Sequence, residues 1–163
     1  MSTGVSGPDL TVRLLAPPEF SRMQRLIEVL NPSIAPETLR ARIALLDGYP
    51  TYRCAGAFVR RDTADAADGP DGPDGLLLAG VCGLWETTRP YSGRQLEPDH
   101  VVVLPEVRSL GVGRALMAWV YDLARAEGCE TVELNAYLAN TRAHAFYHGH
   151  GFTTLGYHFQ KRL

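Results

Sequence analysis

A chain of 163 residues with 45% hydrophobic and 21% charged side chains has the size and balance of a globular protein with a packed core. A net charge of -2 argues against nucleic acid as the main partner, and no apolar run is long enough to span a bilayer, so neither nucleic acid nor membrane is expected. The opening residues lack the basic and apolar segments of a secretory signal, and Cys54, Cys82 and Cys129 are odd in number and set among apolar residues, which predicts reduced thiols in a cytoplasmic protein.

Residues 1–9 read as a frayed tail, and residues 10–163 as one domain. Residues 10–15 alternate weakly and predict a first strand. Pro17 and Pro18 open a helix that carries Phe20, Met23, Leu26, Ile27 and Leu30 at helical spacing and stops at Asn31 and Pro32. Pro36 starts a second helix with Leu39, Ile43 and Leu46 on one face, ended by Gly48 and Pro50. Residues 51–59 predict a strand. Residues 62–75, acidic and rich in Gly and Pro, have nothing to bury and predict a mobile connection. Their repeated aspartates do not make a calcium loop, because no closing Glu stands at EF-hand spacing. Residues 76–85 predict the return strand and residues 86–96 a polar loop. Residues 99–104 predict a further strand, followed by a helix to about Glu127 that Gly128 caps. Residues 131–138 alternate as a strand, a short helix runs from Asn140 to about Gly149, and residues 152–161 predict one more strand.

The segment Arg108, Ser109, Leu110, Gly111, Val112, Gly113 falls between an apolar strand and an amphipathic helix. Glycines there predict backbone angles that other residues avoid, and the helix start offers unpaired N–H groups at the positive end of its dipole. A strand, a glycine turn and a helix N-terminus in that order make an anion cradle, suited to a pyrophosphate. A dinucleotide-binding Rossmann turn does not fit. It needs a third glycine where this chain has Leu116, early in a repeated βαβ pattern that is missing here.

A second segment follows one strand after the cradle helix: Asn140, Ala143, Phe146, Tyr147, Gly151 and Phe152 in the pattern N-x-x-A-x-x-F-Y-x-x-x-G-F. Together the two segments resemble the GNAT superfamily of acyl-CoA-dependent N-acetyltransferases, closely over residues 97–152 and in order of elements before that. The resemblance implies an α/β (α+β) fold: a mixed, mostly antiparallel central sheet flanked by helices, its fourth and fifth strands splayed apart. It implies acetyl-CoA as cosubstrate, with the pantetheine arm in that slot against Val101, Val102 and Val103. The pyrophosphate would lie on Ser109, Leu110, Gly111, Val112, Gly113 and Arg114. A backbone N–H near Val103 would polarise the thioester carbonyl. Asn140 matches the position that steadies the pantetheine arm, and it also suits a helix N-cap. Tyr147 matches the tyrosine that protonates the departing thiolate. Arg108 reads equally as a phosphate ligand or a solvated turn residue, and Arg114 and Arg142 are further candidates for the phosphates.

The reaction also needs a base for the incoming ammonium. Glu97 falls, by offset from the cradle, where histone-acetylating members carry a glutamate. Asp99 has the same strand parity, and Glu86 is a third candidate. The acceptor is expected against the first two helices and the 86–96 loop. There Arg89, Tyr91 and Arg94, with Glu86, suit a small primary amine that carries an anionic group. A protein N-terminus or lysine is the alternative acceptor, and a non-catalytic acyl-CoA sensor the alternative outside enzymology. No metal is expected: His144, His148 and His150 lack a third ligand type and a supporting motif. The resemblance admits a homodimer, with residues 153–161 as its pairing edge.

Overall fold

The computed structural model describes residues 10–60 and 75–163. The expected tail at residues 1–9, and the acidic connection apart from Gly75, lie outside the described residues. The chain divides into two compact units, one running to Glu133 and the other Leu134–Leu163.

The first unit is a five-stranded sheet in sequence order: β1 (Leu10–Leu14), β2 (Tyr52–Arg60), β3 (Leu76–Arg89), β4 (Gly93–Val103) and β5 (Thr131–Val132). Neighbours from β1 to β4 are antiparallel and β5 joins β4 in parallel. β2 is buried over Cys54–Val59 and β3 over Leu77–Leu84, near-continuous apolar runs as strands covered on both faces must be. One face carries a 3-10 helix (Pro17–Met23), which continues into α1 (Gln24–Leu30), and α2 (Pro36–Leu46) packs against both. Phe20 and Met23, three residues apart and both buried, suit the 3-10 period better than the single helix the sequence suggests. The other face carries α3 (Val112–Ala126), which buries Leu116, Met117, Val120 and Ala124. Each such large apolar side chain contributes about 1.5–3 kcal/mol, so this stripe fixes α3, and the cradle at its start, to the sheet.

Three expectations are corrected. Residues 86–96 are a hairpin and not a loop: β3 runs on to Arg89, a turn covers Pro90, Tyr91 and Ser92, and β4 starts at Gly93. The polar residues there alternate between faces and pair across the strands, which a hydrophobicity pattern does not register. The strand expected over residues 131–138 forms only at Thr131 and Val132, because its ladder with β4 ends at Leu96 and Pro98 has no N–H to extend it. Residues 152–161 form no strand, and Leu155, Tyr157 and Phe159 are exposed.

The second unit holds α4 (Thr141–Gly149), with Asn140 as its N-cap: the Asn140 side-chain oxygen accepts from the Ala143 N–H at 3.1 Å. Among the described residues, no helix is long and apolar enough to cross a membrane.

Candidate active site

The cradle is built as the glycine spacing predicts, with one exchange of roles. Gly111 caps the start of α3 in the left-handed conformation (φ 82°). Gly113 does not share it; it is the second residue of α3, and Ser109 takes the other left-handed angle instead (φ 71°). The first intrahelical bond runs from the Ala115 N–H to the Gly111 carbonyl at 2.9 Å, so the first-turn N–H groups of Val112, Gly113 and Arg114 precede it and point out of the helix end. Arg108, Ser109, Leu110, Gly111 and Arg114 are exposed, while Val112 is buried and anchors the turn. Arg108 folds back, its Nε–H donating to the Val103 carbonyl at 3.2 Å.

Just ahead of the cradle, β4 carries a bulge. Gly83 stands opposite Asp99 and Val81 opposite Val102, so His100 and Val101 together face Cys82. His100 takes φ 30°, rare for a residue with a side chain. The β4–β5 ladder ends at Leu96 opposite Val132.

The bulge turns the His100 imidazole back over Gly83, so closely that a Cβ on residue 83 would collide with the ring. Its Nε2 lies 2.8 Å from the Tyr52 hydroxyl and its Nδ1 3.3 Å from Asp99 Oδ2. Asp99 Oδ1 accepts from the His100 backbone N–H at 2.8 Å, and Oδ2 accepts from the Trp85 indole N–H at 3.4 Å. Tyr52 stacks edge-on to Phe20 and tilted against Trp85. The hydrogen bond from His100 lowers the Asp99 carboxyl to about 2. Burial pushes the Tyr52 hydroxyl far up, the Cys54 thiol to about 12 and the Cys82 thiol well above its usual value. The sequence offers Asp99 as a candidate base and gives no pairing for His100 and Tyr52. A polar pair ahead of three valines was the available signal; the partner 48 positions upstream left none.

The residues expected around the acceptor do not share one face. Glu86 and Arg94 lie on the α3 face, where they pair at 2.7 Å beside Arg53 and Glu127. The Arg94 guanidinium also donates to the Glu127 carbonyl. Arg89 and Glu97 lie on the opposite face, paired at 3.2 Å. Tyr91, at the hairpin tip, is 75% exposed. In the second unit Tyr147 packs edge-on between Phe146 and Phe152. His144 bonds to the Tyr137 carbonyl, His148 bonds to Thr154, and His150 stacks on Phe146.

A family model, the acetyltransferase (GNAT) family, matches residues 49–152, and the chain belongs to that family. An aminoalkylphosphonate N-acetyltransferase from Salmonella typhimurium is 36% identical over 67 residues, 41% of this chain and 44% of that protein. The chain thus matches less than half the length of that relative. The aminoglycoside N-acetyltransferase AAC(6')-Iy, solved in complex with CoA, shares the fold with a TM-score of 0.74 at 16% identity, over 98% of this chain and 97% of the other. The ribosomal-protein-alanine N-acetyltransferase of Brucella melitensis biovar Abortus 2308 shares it with a TM-score of 0.72 at 18% identity, over 94% and 99%.

Proposed function

We propose that this chain transfers an acetyl group from acetyl-CoA to the primary amine of a small molecule that also carries an anionic group. The observation that carries the reading is the turn itself: left-handed Ser109 and Gly111 at the start of the 15-residue α3, directly after β4. The first-turn N–H groups of α3 hold the pyrophosphate. The backbone at Val101, Val102 and Val103 pairs with the amide-rich arm, and a backbone N–H near Val103 stabilises the oxyanion. Acetyl-CoA supplies the activated acyl group. Tyr147, matched through the family pattern, protonates the leaving thiolate.

Among the three carboxylates, the reading favours Asp99 for the acceptor's proton. Glu97 is engaged by Arg89 and Glu86 by Arg94, whereas Asp99 is exposed and held by neutral donors on its inner side. The amine and the anion of an aminoalkylphosphonate, on which the Salmonella relative acts, are the two features the acceptor is expected to combine. The test is amine-dependent thiol release from acetyl-CoA with aminoalkylphosphonates, other anionic amines, aminoglycosides and short peptides as acceptors. Faster turnover of the anionic amines supports the reading. Faster turnover of the peptides replaces the acceptor by a protein N-terminus or lysine. Binding without turnover of any acceptor replaces the enzyme by a sensor.

A further inference from the structure

Three polar atoms on one face of the β3–β4 hairpin are buried without a hydrogen-bond partner among the described residues: Thr87 Oγ1, Arg89 Nε and Gln95 Nε2. The strand register gathers them. Thr87 stands directly opposite Gln95, and the neighbouring pairs on that face are Arg89 with Gly93 toward the turn and Trp85 with Glu97 on the other side. Side chains directly opposite one another have Cβ atoms about 5 Å apart. The Arg89 Nη2–H donates to Glu97 Oε2 at 3.2 Å, so the arginine side chain passes over the Thr87–Gln95 pair to reach it. Gln95 is fully buried (0% exposed). The Ser92 hydroxyl donates to its Oε1 at 2.6 Å, which leaves the N–H bonds of Nε2 as the unmet ones.

A buried polar group without a partner costs stability, and three on one face call for a ligand that pairs them. A guanidinium N–H, an amide N–H and a hydroxyl can all donate. The matching ligand is an oxyanion, and three donors suit the three oxygens of a phosphonate.

We propose that Thr87, Arg89 and Gln95 form the subsite for the acceptor's anionic group, an assignment that rests on the anionic-acceptor reading above. The oxyanion takes the place of Glu97 on the Arg89 guanidinium and draws the hydroxyl and amide donors beneath it. Arg94 has no part in this, because it lies on the α3 face with Glu86. At the turn end the Glu130 carboxylate lies against Gly93 and disfavours an anion there. In the other direction Asp99 is the next residue on the same face after Glu97, about 7 Å further along the strand. That separation between the guanidinium at Glu97 and the carboxylate favoured as base suits an acceptor with two or three carbons between its amine and its anion.

The experiment compares wild type with Thr87→Val and Gln95→Met, which keep the size of the side chain and remove its donor. Thiol release is followed at saturating acetyl-CoA with 2-aminoethylphosphonate and with propylamine as acceptors. Each variant removes an unpaired buried polar group, so both are expected to melt at or above the wild-type temperature. In both, the KM for 2-aminoethylphosphonate is expected to rise at least 10-fold. The ratio of kcat/KM for 2-aminoethylphosphonate to that for propylamine should fall at least 10-fold, with the acetyl-CoA Kd within twofold of wild type. If wild type prefers the phosphonate and the ratio stays within threefold of it in either variant, the inference is overturned and the anionic-acceptor reading stands; the three donors then serve only water. A wild-type chain that turns over the two amines equally, or prefers propylamine, overturns that reading as well.

Discussion

Both terminal guanidinium nitrogens of Arg53 sit on the two carboxylate oxygens of Glu127, at 2.5 and 2.7 Å, joining the middle of the sheet to the end of α3. The hydrogen bond from Arg53 lowers the Glu127 carboxyl, so the folded state holds this group ionised below the pH at which the unfolded chain protonates it. The pair therefore stabilises the fold above the ordinary carboxylate range and loses that contribution as pH falls through it. Glu127→Gln should cost about 1 kcal/mol in urea unfolding at pH 7, the scale of a partly exposed bidentate pair, and less at pH 3. An equal cost at both values would mean that packing, and not charge, is what Glu127 supplies.

The junction between β1 and the 3-10 helix has its own acid-sensitive clamp. Glu19 accepts both Arg13 guanidinium bonds at 2.8 Å and the Ala16 N–H at 2.9 Å, and the Arg13 bonds hold its carboxyl at about 2. The sign is that of a depressed acid: stability is complete above pH ~4.5, where the unfolded carboxyl is ionised, and falls away between there and pH ~2. Thermal melts of Glu19→Gln and wild type should differ at pH 6 and converge near pH 2. Parallel curves across that window would remove the clamp.

At Gly111 the demand is conformational. With φ at 82° and open space around the position where a Cβ would stand, any loss on substitution comes from the backbone alone. Gly111→Val should lower stability by about 1–2 kcal/mol and weaken acetyl-CoA binding at least 10-fold, because the turn that presents the first N–H groups of α3 can no longer hold its shape. Calorimetry that finds unchanged affinity would dismiss the cradle.

Tyr147→Phe separates chemistry from binding. It keeps the ring that packs on Phe146 and Phe152 and removes only the hydroxyl. The expected result is a loss of roughly 100-fold in kcat, within the range of general acid catalysis, with the acetyl-CoA Kd unchanged. Unchanged kcat with a confirmed acceptor would leave the thiolate to take its proton from water.

The readable parts of this chain are those where local chemistry decides. Gly111 is legible because a turn that needs φ above zero recruits glycine, and α3 because its apolar stripe repeats at the helical period. Gly128, with φ 71°, closes α3 as its position after the last periodic residue requires. The hairpin at residues 86–96 was hidden because its strands are held by Glu86 with Arg94 and Arg89 with Glu97, pairs that look like loop composition when read one strand at a time. The same blindness placed Glu86, Arg89 and Arg94 in one site, whereas strand parity puts Arg89 on the opposite face from the other two. Tyr52 and His100 could not be paired from sequence at all. Their contact depends on a bulge, and a bulge shifts side chains to a face that no simple alternation predicts.

The central claim is that the turn from Arg108 to Gly113 receives acetyl-CoA for transfer to an amine. The most direct measurement is calorimetric titration of the chain with acetyl-CoA, with thiol release followed in the same samples as aminoalkylphosphonates and other amines are added. The account predicts saturable binding that is weakened in Gly111→Val, and thiol release that requires an amine. No binding to the wild-type chain, or equal binding by Gly111→Val, would contradict it.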